Sequence, residues 1–200
     1  MNFFKILTLL FFLFQNFFSR IAFCQEVQVV FPKNYFSVGY FEQKTLNGDI
    51  SRPPRPMMWT AAQKSNFGGV FMYERLIFHT QKIYSLTLGF DYGNWFAKFD
   101  SIQSFSLFFK NRFWIYHNKF LTPYIVHSIA GLTLLSQSHF STKDLGSRFL
   151  FQDFLGIGAA LGNEKNLFVE ISFWHYSNGN IFPVNPGFDV PIVLSVGLGF

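Results

Sequence analysis

The chain is poor in the residues that carry much soluble-protein chemistry. Among its 200 residues it has one cysteine, Cys24. That residue closes an N-terminal apolar stretch, so the rest of the chain can form no disulfide, thiolate metal site or cysteine nucleophile. Charged residues make up 14%, against about 25% in an ordinary soluble domain. The net charge of +5 is mild and scattered, and argues for no nucleic-acid partner. Beyond the N-terminus no segment stays apolar for the ~20 residues a spanning helix needs. No H-E-x-x-H or related metal pattern occurs, and no Gly-rich phosphate loop opens a helix. Neither a metal nor a cofactor is expected.

Aromatic residues are abundant instead, at 22% of the chain, with 31 phenylalanines. High apolarity without a helical span leaves strands as the means of crossing a bilayer. The N-terminus has the layout of a secretory signal: Lys5, an apolar core from Ile6 to Phe14, then Ala22 and Cys24 before Gln25. Residues 1–24 are therefore expected to be a signal peptide and 25–200 a single β-barrel domain. Without Lys5 and Arg20 the net charge falls to +3.

Eight stretches read as strands: Tyr35–Gln43, Gly68–His79, Ile83–Ala97, Ser104–Tyr116, Leu121–Gln137, Arg148–Gly162, Leu167–Gly179 and Phe188–Phe200. Several alternate with period two. In the third, Tyr84, Leu86, Leu88, Phe90 and Tyr92 alternate with Ser85, Thr87, Gly89, Asp91 and Gly93. In the last, Ile192, Leu194, Val196, Leu198 and Phe200 alternate with Val193, Ser195, Gly197 and Gly199. This predicts an all-β, eight-stranded antiparallel transmembrane barrel, with the large apolar set facing lipid and the small or polar set filling a narrow lumen. A soluble barrel would reverse the two faces; the signal peptide and the terminal Phe200 favour the membrane. Asp91, Lys110, Arg112 and Glu170 are expected to form a paired interior network. Trp95, Trp114 and Trp174, near strand ends, suggest interfacial girdles. Segment 46–66, with Arg52-Pro53-Pro54-Arg55-Pro56, reads as a long first loop. With both termini periplasmic, the seventh strand ends near the external rim.

That strand carries Phe173-Trp174-His175-Tyr176-Ser177-Asn178-Gly179. His175 and Ser177 lie two apart, so an extended backbone puts both on one face, the apolar one shared with Leu167, Val169, Ile171 and Phe173. A nucleophile and a base on a lipid-facing surface suit an esterase that attacks a lipid. Such a pair needs an orienting acid. Asp189 is one candidate, although parity counted back from Phe200 points it inward unless a bulge near Pro191 re-aims it. Asp153, outward on the sixth strand, is another. Glu170 faces inward by parity and fits less well.

The run His175-Tyr176-Ser177-Asn178, followed by Asn185-Pro186-Gly187-Phe188-Asp189, resembles the lipid A 3-O-deacylase (PagL-like) outer-membrane family, which carries H-x-S-N and then N-x-G-x-E. The resemblance implies Ser177 as nucleophile, His175 as general base and Asp189 in the place of the acid, where the family usually has Glu. It also implies Asn185 at the oxyanion hole, Asn178 supporting the site, and lipid A of lipopolysaccharide as substrate in the bacterial outer membrane. A homodimer stays open, as do two other functions of the same architecture: a non-enzymatic envelope or adhesion barrel, and a phospholipase or acyltransferase.

Overall fold

The computed structural model describes residues 31–42, 63–80, 82–98 and 100–200. Residues 1–24, expected to be a signal peptide, and most of the proline-rich segment 46–66 lie outside the described residues. The eight long strands are β1 (Asn34–Glu42), β2 (Phe67–His79), β3 (Tyr84–Phe96), β4 (Ser101–Trp114), β5 (Leu121–Leu135), β6 (Phe149–Leu161), β7 (Leu167–Ser177) and β8 (Phe188–Gly199). Each pairs antiparallel with the next. β1 closes the barrel on β8, from Tyr35 opposite Gly199 to Tyr40 opposite Leu194. The strands run from 9 to 15 residues, enough for a tilted strand to cross a bilayer. Among the described residues, no helix is long and apolar enough to do so.

Three two-residue strand pieces lie at the end of the barrel away from Asn34 and Phe200. His139–Phe140 and Lys143–Asp144 form a small hairpin. Gln63–Lys64 runs parallel to the first two residues of β8.

The faces are as the alternation requires. Phe90, Phe105, Phe109 and Leu198 are each more than half exposed, which places a continuous apolar band on the outside. Ser85, Thr87, Asp91, Ser104 and Ser106 are buried inside. The lumen is a packed core, held by charges as well as by apolar contact. Lys110 Nζ bridges Glu74 and Glu170, each at 3.0 Å, and Arg112 Nη2 lies 2.8 Å from Glu74. Two carboxylates therefore balance two cations. Asp91 is held separately: Gln152 Nε2 donates to it at 2.9 Å. Ions buried in this way persist only when paired and hydrogen-bonded.

The tryptophans are not lipid-facing girdles. Trp95, Trp114 and Trp174 are buried in the lumen. Their indole N–H groups donate to Ser104, Ser85 and Ser172 respectively. Strand parity accounts for this, since Trp114 shares the face of Lys110 and Arg112, and Trp95 that of Asp91. Phe154 stacks on Trp174 at 5.1 Å and Phe188 on Tyr176 at 4.4 Å. These rings fill the lumen beside the seventh and eighth strands.

Candidate active site

β7 brings His175 and Ser177 to that same end of the barrel, away from Phe200, on its outward face. His175 pairs with Asp153 of β6 on one side and Asp189 of β8 on the other. Although its parity is outward, His175 is only 7% exposed. Gly187 lies against it: a Cβ there would be 3.5 Å from both His175 Cε1 and Ser177 Cβ.

Asp189 faces His175 because β8 is bulged. Ser172 pairs with Val193 and Trp174 with Val190, so Pro191 and Ile192 together oppose the single residue Phe173. The extra residue reverses the parity of everything before it. Val190 and Phe188 turn into the lumen, and Asp189 turns out beside the imidazole. Pro191 has no N–H to give a regular ladder, which suits it to this place. The His175 Nδ1–Asp189 Oδ1 distance is 2.7 Å. A carboxylate only accepts hydrogen bonds, so Nδ1 carries the proton and donates it. Nε2 is then the basic nitrogen.

Asp153 does different work. Its Oδ1 accepts the backbone N–H of Ala130 at 2.6 Å. Ala130, at φ 55°, is part of a second bulge, in β5, where two residues stand opposite Asp153. Of the three acids weighed from the sequence, Asp189 contacts the imidazole, Asp153 holds the bulge and Glu170 meets Lys110 in the lumen.

The connection from β7 to β8 is fixed by asparagines. Ile181 N–H donates to Asn178 O in a turn whose central residues, Gly179 and Asn180, are both left-handed. Asn178 N–H donates to Asn185 Oδ1 at 2.8 Å, and Asn178 Nδ2 to Val184 O at 2.7 Å. Asn185 Nδ2 donates in turn to Asn180 Oδ1 at 2.9 Å. Asn178 and Asn185 thus build the loop that carries Gly187 against the His–Ser pair. Gly187 received no role from the sequence pattern. Its φ of +58° and the 2.6 Å from its notional Cβ to Tyr176 O both require glycine. Among the described residues, no three of His, Cys, Asp and Glu gather to hold a metal ion.

The arrangement defines a class: a filled outer-membrane barrel bearing a carboxylate–imidazole pair and a serine on its outer rim. A family model described as lipid A 3-O-deacylase (PagL) matches residues 66–198. The chain belongs to that family, and with it to the proteins of the bacterial outer membrane. The barrel is similar to the crystal structure of the outer membrane enzyme PagL, at 17% identity and a TM-score of 0.58, over 83% of this chain and 99% of that one. The outer membrane protein Ail of Yersinia pestis is a weaker likeness, at 13% identity and a TM-score of 0.39, over 84% and 99% of the two chains. No protein of curated function matches the sequence. Neither the family match nor the likeness to PagL supports a homodimer.

Proposed function

We propose that this chain is a serine esterase that hydrolyses the ester-linked acyl chain at position 3 of lipid A. The 2.7 Å contact between His175 and Asp189, on the face that also carries Ser177, is the observation behind this reading. Asp189 holds the imidazole in the tautomer with Nδ1 protonated and stabilises the imidazolium that forms. His175 Nε2 takes the Ser177 proton as Oγ attacks the acyl carbonyl. The tetrahedral intermediate collapses, the C–O bond to the sugar breaks, and His175 returns the proton to the leaving alkoxide. Water, deprotonated in its turn by His175, adds to the acyl carbonyl; collapse breaks the C–Oγ bond, His175 returns the proton to Ser177 Oγ, and the fatty acid is released.

Asn185 has two amide hydrogens, and one goes to Asn180. We assign the other to the oxyanion, with Asn178 as the brace that positions the loop. A single such donor is worth about 2.7–4 kcal/mol in a protease. Phe151, which pairs with Ser177, Phe149, which meets Phe151 edge to face at 5.3 Å, and Phe173 supply apolar surface for the acyl chain. Exposed Ile181, Phe182 and Val184 extend that surface from the loop. Export to the outer membrane fits residues 1–24 as a cleaved signal.

The test is mass spectrometry of lipid A from cells carrying the protein, the Ser177→Ala variant or neither. Loss of one 3-hydroxyacyl chain only with the parent protein is expected. A gained chain would indicate an acyltransferase. Unchanged lipid A with a correctly folded parent would refute the deacylase reading.

A further inference from the structure

The orienting acid here is the shorter of the two carboxylic residues, so the backbone that carries it must sit close to His175. Two features act on that backbone. One is the bulge at Pro191 and Ile192. The other comes from far away in the chain. β1 last pairs with β8 at Tyr40 opposite Leu194, which leaves the start of β8 without β1 as a neighbour. Residues Gln63 and Lys64 take that edge. They pair in parallel with Phe188 and Asp189, and the next residue, Ser65, donates its N–H to Asp189 O at 3.0 Å. Ser65 is fully buried, and Asn66 N–H is tied to Phe96 O at 2.6 Å, so the clip is itself anchored to the barrel wall.

A parallel pair of two residues is a poor source of stability, since parallel pairing normally joins long, buried strands. Its position is more informative than its size. It grips the backbone of Asp189, whose carboxylate meets the imidazole. We infer that the segment 63–65 is a positioning element for Asp189, which lets an aspartate serve at a site where its shorter side chain would otherwise fall short of His175. This rests on Asp189 acting as the acid of the proposed esterase.

The test is a double-mutant cycle of Ser65→Pro and Asp189→Glu. Proline at 65 removes the N–H that holds Asp189 O. Glutamate at 189 adds the missing methylene and reduces the need for the clip. Two readouts are followed in detergent: lipid A deacylation, and the low-field NMR resonance of the His175 Nδ1 proton, assigned by its absence in His175→Ala. Heat-modifiable electrophoretic migration confirms that each variant is a folded barrel. A misplacement of about 1 Å costs on the order of 100-fold. Ser65→Pro is therefore expected to lower kcat about 10- to 100-fold with KM within about twofold, and to weaken or broaden the Nδ1 resonance. Asp189→Glu in that background is expected to restore both. The clip is refuted if folded Ser65→Pro keeps parental kcat and resonance, or if Asp189→Glu restores neither. The NMR signal separates this from the functional reading, because it reports the imidazole–carboxylate bond even if the parent has no deacylase activity.

Discussion

Replacing Gly187 by alanine perturbs the site at its tightest point. The new methyl would stand 2.6 Å from Tyr176 O, roughly 0.8 Å inside ordinary contact. Tyr176 cannot yield. Its backbone is paired on both sides, to Gln152 and Phe188, and its hydroxyl accepts from Gln152 Nε2 at 3.0 Å. The loop must move instead, and the φ of +58° adds about 1–2 kcal/mol of backbone strain for a residue with a Cβ. A shift of that size beside His175 and Ser177 is expected to lower kcat about 10- to 100-fold, or about 1.4–2.7 kcal/mol. Barrel stability should fall by little more than that strain of about 1–2 kcal/mol, because no strand loses its partner. Gly162→Ala is the control. Gly162 has φ +82°, but the nearest atom to its notional Cβ is Asn166 Oδ1 at 3.9 Å, and it lies at the opposite end of the barrel. It carries the strain without the clash and should keep full activity. The assay is fatty-acid release from lipid A in mixed micelles, with urea unfolding in parallel. Parental kcat in folded Gly187→Ala would refute the claim that this loop sets the geometry of the pair.

Asp189→Asn removes the acceptor charge and lets the imidazole take the wrong tautomer; the corresponding change in a serine protease costs about 10⁴-fold in kcat, and a loss of that order in deacylation is expected, whereas Asp153→Asn should cost under tenfold. Glu74→Gln takes one of two anions from the cluster with Lys110 and Arg112. Breaking such a buried pair costs about 3–5 kcal/mol, so the urea midpoint should fall clearly.

The strands were legible because period-two alternation is a local property and a bilayer rewards it without interruption. All eight lie within about three residues of their expected bounds. The outward faces of Phe90 and Leu198 followed from the same pattern, and so did the shared face of His175 and Ser177, two positions apart on one strand. The orientation of Asp189 was not legible by parity. A single extra residue reverses it, and the only local sign was Pro191. The tryptophans were misplaced because nearness to a strand end was weighed above parity, although Trp114 shares a face with Lys110. The clip at 63–65 has no local signature. It is a pairing between segments more than a hundred residues apart, after a proline-rich stretch that reads as plain loop.

The filled lumen has a consequence for traffic. Rings and ion pairs occupy the axis, so nothing that meets Ser177 arrives through the protein; on the proposed deacylase reading, both reactant and released fatty acid travel sideways within the leaflet. Turnover would then follow the surface density of the lipid rather than any bulk concentration. Changing the packing of the outer leaflet would alter the rate without touching a single residue.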